Sequence, residues 1–298
     1  MISVVICSVS PERLRQTVEN INDTIGVEHE IIPFDNRDKK WPIAKVYNHC
    51  ASKARFGNLL FVHEDVQFYT HNWGGIICQK LSEPDCGVIG FAGSRFKTMA
   101  YSGWNTGMVD YEISDYRYLE SVTGREALCQ RGEFIDGYGQ VICVDGFAMF
   151  VSKEVWEKHP FDESVLKGFH SYDIDFSLVI SKSRKNYVCG LIDVLHKSNG
   201  NFGPEWVRDT VRMHKEKWYD ILPLYVGNLD RKTVNEGERF AMYFFTKSMY
   251  YAGLRKREIV CTVCSYRYMP ALFKIWIVVK FFNYVRLCRR RRRMNREI

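Results

Sequence analysis

The sequence predicts an α/β fold: a mostly parallel sheet with helices on both faces, followed by a helical, basic C-terminal tail. Three observations carry this. Residues 1–62 alternate apolar runs with helix-like segments at βαβ spacing. The apolar runs are continuous, as in strands covered on both faces. The charge is also split along the chain. Leu254 to Ile298 holds 13 Lys or Arg against Glu258 and Glu297, a net of +11, whereas the rest carries 29 of the 42 basic and 33 of the 35 acidic residues, a net of −4.

Taken in order, Ser3 to Ser8 reads as the first strand. Ser10-Pro11-Glu12 opens a helix running to about Asn22, because serine caps free N–H groups and proline suits a first turn. Glu30 to Phe34 is the second strand, ending at Asp35-Asn36; Pro42 to Ala54 is a helix and Asn58 to Val62 the third strand. The turn Ser8-Val9-Ser10-Pro11 carries neither GxGxxG nor a P-loop pattern, which disfavours a dinucleotide fold and a P-loop NTPase. Asn72 to Leu81 is expected to be helical and Cys86 to Ala92 another strand. From Gly93 to Gly139, seven glycines and little periodicity predict a long irregular segment of the kind that serves function. Gln140 to Val151 is a strand interrupted at Asp145-Gly146, and Ser152 to Lys158 a short helix. Phe176 to Lys185 is helical, Tyr187 to Val194 a strand, and Pro204 to Tyr219 a helix.

The 298 residues suit one large domain or a domain with an appendage, and the expected division is 1–220, 221–268 and 269–298. Aromatic residues make up 14%, which favours aromatic-lined clefts. The acidic body argues against nucleic-acid binding. The N-terminus enters a strand directly, without a basic leader, and several of the ten cysteines sit inside apolar runs, so a reducing cytoplasm is expected. Cys261-Thr262-Val263-Cys264 is a lone CxxC and weak evidence for zinc.

The chemistry concentrates where apolar strands end. Leu59-Leu60-Phe61-Val62 runs straight into His63-Glu64-Asp65. Buried strands do not carry adjacent carboxylates cheaply, and ligands of open α/β sheets bind at the carboxyl ends of the strands. A carboxylate there suits a hard divalent cation, and such a cation suits a phosphate. Asp35 and His196 also lie at strand ends, and Asp173 and Asp175 precede a helix. Each has a plainer alternative: a solvated turn for Glu64 and Asp65, a turn for Asp35, a loop histidine for His196, and an N-cap for Asp175. Asp173 has no such excuse and is the better catalytic candidate.

In combination these segments resemble the family 2 glycosyltransferases of the GT-A fold. Ser3-Val4-Val5-Ile6-Cys7 looks like that family's first strand, and Phe34-Asp35-Asn36 like its second, whose Asp contacts the nucleoside. Ala44 to Ala51 is similar to its helix with a fixed Asn, here Asn48. Phe61 to Val66 stands where the DxD motif stands, with His63 in place of the first Asp. Val144 to Val151 resembles the strand under the acceptor site, and Pro160-Phe161-Asp162-Glu163 a short FDE turn. Tyr172-Asp173-Ile174-Asp175-Phe176 looks like the element bearing the base, with Tyr172 replacing the usual Glu. His196, followed by Ser198 and Gly200, resembles the late metal-site histidine.

The resemblance covers roughly residues 1–220. It implies a metal-dependent, inverting glycosyltransferase that moves a sugar from a nucleotide-sugar, expected to be a UDP-sugar, to a glycan or lipid-linked acceptor, as in polysaccharide biosynthesis. Asp173 would be the base. Asp35, Asn48, Glu64 and Asp65 would bind the donor, Asp145 and Trp104 would face the acceptor, and Asp65 and His196 would hold Mg or Mn. Trp104 has the alternative of a core tryptophan. Because His63 and Tyr172 depart from the pattern, a catalytically inert nucleotide-sugar or glycan-binding module is the competing reading. A nucleotidyltransferase or phosphohydrolase would want more clustered carboxylates or a Gly-rich basic loop. In the tail, Met269 to Cys288 is apolar but interrupted by Lys274, Lys280 and Arg286, which suits an interfacial helix better than a spanning one. With the run Arg289 to Arg293 it would meet an anionic membrane surface, placing the protein peripherally on the inner face. The alternative is a helix packed on the body.

Overall fold

The computed structural model describes residues 1–294 apart from 199, 201, 267 and 268, and the side chains of 291–294 lie outside the description. Its N-terminal half runs β1 (Ile2–Ser8), α1 (Pro11–Thr24), β2 (His29–Asp35), α2 (Ile43–Ala51), β3 (Asn58–His63), β4 (Val66–Phe68), α3 (Trp73–Leu81) and β5 (Cys86–Gly90). Short and long strands follow: β6 (Ala92–Ser94), β7 (Phe96–Lys97), β8 (Glu112–Leu119), β9 (Glu126–Arg131), β10 (Tyr138–Val141), β11 (Cys143–Val144) and β12 (Ala148–Ser152). Then come α4 (Lys153–Lys158), α5 (Tyr172–Ser181), β13 (Lys185–Cys189), β14 (Val194–His196), α6 (Pro204–Met213) and β15 (Leu224–Tyr225). Three helices close the chain: α7 (Arg231–Tyr251), α8 (Lys256–Ser265) and α9 (Ala271–Met294).

The main sheet has the order β10-β13-β5-β12-β3-β1-β2. β1, β2, β3, β5 and β13 run one way, while β12 is antiparallel to both β3 and β5, and β10 is antiparallel to β13. Alternate side chains of the apolar strands feed two cores. Val5, Leu59 and Phe61 pack with α2 and α5, through Val46, Tyr47 and Phe176. Val4, Ile6, Leu60 and Val62 pack with α1 and α3, through Ile21, Trp73 and Ile77. Helices therefore cover both faces, which is why these strands read as unbroken apolar runs. A second sheet, β11-β6-β8-β14-β4 with β9 beside β8, lies past the ends of β3 and β5.

Two expectations change. Residues 93–139, read as irregular, contain the β8–β9 antiparallel pair from Ser114↔Arg131 to Leu119↔Glu126. β9 is largely exposed, and the buried end of β8, Glu112-Ile113-Ser114, is mostly polar, so the pair left no apolar period in the sequence. Asp175 is not a helix cap: Ser171 stands at that position, and Asp175 is buried inside the first turn of α5. Its carboxylate takes hydrogen bonds from Lys217 Nζ (2.9 Å) and Trp218 Nε1 (2.8 Å), and Lys217 also reaches Asp162 of the FDE turn at 2.9 Å. One face of α9 is packed: Ile277, Phe281 and Val285 are buried with Ala241, Phe245 and Met249 of α7 and Ile259 and Val263 of α8. No helix among the described residues is long and apolar enough to cross a membrane.

Removing one partner of a buried ion pair leaves an uncompensated charge. Lys217→Met should therefore lower unfolding stability by about 2 kcal/mol, less than the roughly 3–5 kcal/mol of a fully buried pair because Lys217 keeps some exposure. Equilibrium urea unfolding checks this, and no loss would deny Asp175 its dependence on Lys217.

Candidate active site

β3 delivers His63 to the sheet edge, where its backbone N–H is held by the carbonyl of Phe147 at 2.9 Å. The chain turns through Glu64 and Asp65 and re-enters as β4. β4 pairs antiparallel with β14 in the register His196↔Val66, and the N–H of Lys197 donates to the carbonyl of Asp65 at 3.1 Å. This register sets His196 beside Asp65, with Nε2 3.5 Å from Oδ1. The His196 ring stacks on Phe147 at 4.6 Å between centroids, and Ser198 Oγ lies 3.0 Å from its Nε2.

His63, Asp65 and His196 each offer one ligand atom, and the three atoms lie within 4.8 Å of one another. Two imidazoles and a carboxylate are a metal-binding donor set. Burial alone would raise the Asp65 carboxyl, but hydrogen bonds from His196 and Ser198 and the nearby His63 hold it down at about 2. Burial, reinforced by His196, pulls His63 down to about 4, so its imidazole is neutral at pH 7, the form a ligand needs. Asp65 and His196 are thus brought together as the sequence implied. His63, the position where the pattern broke, joins them. Only its place at the strand end could have signalled this.

Glu64 faces elsewhere. Its Oε2 accepts hydrogen bonds from Ser8 Oγ (2.6 Å), Val9 N (3.0 Å) and Ser10 N (3.0 Å), fixing the loop before α1. Asn48 spends its amide on α4 and the turn after it: Oδ1 accepts from Trp156 Nε1 and Phe161 N, and Nδ2 donates to Phe161 O and Glu163 Oε1. Asp35, exposed at the end of β2, pairs with Arg37 at 2.6 Å, which holds its carboxyl at about 2. Asn36 and Arg37 line an open cavity of about 700 Å³ together with Val9, Lys40, Lys167 and Arg208.

The other half of the site is carboxylate chemistry. Asp173 stands in the first turn of α5. Burial and the charge of Asp145 push its carboxyl up to about 7, against backbone N–H groups that favour the anion. Asp145 follows β11; its Oδ2 accepts from Trp104 Nε1 at 2.5 Å and its Oδ1 from Phe147 N at 3.0 Å. Trp104 also packs against both neighbouring apolar clusters, as its core alternative has it. Tyr172 links the two halves: its hydroxyl lies 2.7 Å from His63 Nε2 and donates to Gly146 O at 3.0 Å. Gly146 is needed here, since a Cβ would come within 2.4 Å of the Tyr172 oxygen. Sequence reading singled out neither Tyr172 as a contact nor Gly146.

A profile of the Glycosyltransferase like family matches residues 3–214, and the chain belongs to that family. Its α/β architecture is of the GT-A type. Among solved structures, S. aureus TarS (residues 1–349) superposes with a TM-score of 0.51 at 11% identity, covering 89% of this chain and 78% of that one. GalNAc-T7 with UDP, GalNAc and Mn2+ gives 0.49 at 12% identity over 84% of this chain, which spans 56% of the length of that one. The mannosyltransferase PcManGT from Pyrobaculum calidifontis, in complex with GDP-Man and Mn2+, gives 0.48 at 8% identity, covering 94% of this chain and 84% of that one. No curated protein sequence matches.

Asp65 is the anionic member of the candidate metal triad. Asp65→Ala should weaken Mn2+ binding by at least about tenfold, the scale on which even outer-shell losses act. Isothermal titration of Mn2+ measures it, and unchanged affinity would count against the triad.

Proposed function

We propose that the protein is an inverting glycosyltransferase that takes a sugar from a nucleotide-sugar, a UDP-sugar by preference, and transfers it to a glycan or lipid-linked acceptor. The single observation that carries this reading is the pairing of a metal-type triad, His63, Asp65 and His196, with a separate carboxylate, Asp173, raised to about 7. A Mg2+ or Mn2+ ion held by that triad would supply Lewis-acid stabilisation to a leaving diphosphate. Asp35 and the cavity beside it, whose walls carry Arg37, Lys40, Lys167, Arg208 and Arg212 against Glu205 and Asp209, suit an anionic donor with its nucleoside end at Asp35. Glu64 and Asn48 would shape the donor pocket from behind, by holding the 9–10 loop and the 161–163 turn.

Asp173 would take the proton of the acceptor hydroxyl as that oxygen forms its bond to the anomeric carbon. The bond from that carbon to the diphosphate oxygen breaks, and its electron pair leaves with the nucleoside diphosphate. One base and one displacement invert the centre. Trp104 and Asp145 would flank the acceptor, and the hydrogen bond between them orients both. The contact between His63 and Tyr172 supports an intact site over an inert binding module, because the two departures that suggested inertness complement each other.

We also place the protein on an anionic membrane surface, peripheral on its cytoplasmic face. On α9, Leu272, Ile275, Val279 and Phe282 are exposed and spaced three, four and three residues apart, so they form one apolar stripe opposite the packed face. Lys280, Arg286, Arg289 and Arg290 accompany it. The side chains of Arg291, Arg292 and Arg293, and residues 295–298, lie outside the described residues.

Asp173→Asn should cut transfer by at least about 100-fold while donor binding holds. Because the base acts only when ionised and its carboxyl is raised, kcat/KM of the wild type should fall as pH drops through about 7. Asp145→Asn removes the neighbouring charge and should move that limb to lower pH. A normal rate in the first variant, or an unmoved limb in the second, would refute the base. For the tail, the full chain should float with anionic vesicles, and a Leu272→Gln/Ile275→Gln/Val279→Gln variant should not. Equal flotation would end the membrane reading.

A further inference from the structure

The two positions at which the chain departs from the pattern of its family, His63 and Tyr172, are the two ends of one hydrogen bond of 2.7 Å. The direction of that bond follows from its surroundings. A tyrosine hydroxyl has one proton, and here it is donated to the carbonyl of Gly146, which can only accept. Towards His63 the same oxygen can then only accept, so Nε2 carries the imidazole proton. A neutral imidazole protonated at Nε2 has its lone pair on Nδ1, the remaining nitrogen able to coordinate. Outer partners of this kind set the tautomer and ring orientation of metal-ligating histidines. Tyr172 is itself held: it is buried, with Tyr47 edge-on at 5.6 Å and Phe161 at 6.2 Å.

We propose that Tyr172 is the positioning residue for a third metal ligand, Nδ1 of His63, and that the triad it completes binds a first-row transition dication such as Mn2+ in preference to Mg2+. The inference rests on the metal-dependent reading above and adds to it a specific ligand atom and a selectivity. The selectivity follows from the donors: imidazole nitrogen suits transition ions, whereas Mg2+ favours oxygen. In this chain the imidazole and the phenol replace two carboxylates together.

The test is Mn2+ binding to the full-length chain, read from the electron paramagnetic resonance signal of free Mn2+, with Mg2+ as competitor. Four proteins are compared: wild type, Tyr172→Phe, His63→Gln and the double variant. Tyr172→Phe keeps the ring and its packing, and should weaken Mn2+ binding by about tenfold or more. In the His63→Gln background the same change should cost nothing. An equal loss in both backgrounds would mean that Tyr172 acts only on the fold, and no loss in either would deny it a role; both overturn the proposal while leaving metal-dependent transfer standing. Displacement of Mn2+ by Mg2+ at comparable concentration would overturn the selectivity. A wild type that binds no Mn2+ would overturn the proposal together with the metal reading beneath it.

Discussion

Three polar side chains, His63, Glu64 and Asp65, leave the end of a strand buried on both faces, and each must find a partner where water is scarce. The site is the set of solutions. Glu64 takes three donors from the loop between β1 and α1. Asp65 meets His196, brought alongside by the pairing of β4 with β14. His63 meets Tyr172 at the start of α5. One triplet thereby ties together three elements that are far apart in sequence, and its own desolvation makes those ties costly to break.

The second half of the site depends on a different plug. Lys97 is fully buried; burial pulls it down to about 8, and it donates to Ser102 Oγ (2.6 Å), Ser102 O (3.2 Å) and His214 Nε2 (3.0 Å). Glu238 of α7 caps the same segment by accepting from Met99 N and Ala100 N, both at 2.7 Å. The loop fixed this way ends at Trp104, whose indole reaches Asp145. Helix α7 therefore bears on the segment that carries Trp104.

The strands of the first half were legible because burial on both faces writes a continuous apolar run, and α1 because Ser10 and Pro11 mark its start. Asp65 and His196 were legible as polar residues at the ends of such runs, and Asp173 as an acid ahead of an apolar helix that no capping role explained. The β8–β9 pair was not, since its polar residues carry no period-two signal. Asp175 was misread because its partner, Lys217, is remote in sequence, and an acid in a first turn ordinarily needs no explanation beyond the helix end. His63 and Tyr172 could be recognised as departures but not as partners, because a contact across 109 positions leaves no local trace.

What converts this geometry into an assignment of roles is the divergence of two carboxylates. Asp65 is held near 2 by hydrogen bonds and imidazoles, so it is an anion at any working pH and suits a cation. Asp173 is raised to about 7 by burial and by Asp145, so near neutrality it can both take up and release a proton. Environments that drive two acids apart separate an electrostatic ligand from a base. Under the proposed reading the neighbouring residues agree with that division: Tyr172 turns its hydroxyl toward His63, while the adjacent Asp173 would keep its carboxyl for the acceptor. A single helical turn would then serve both functions, and moving it would disturb both together.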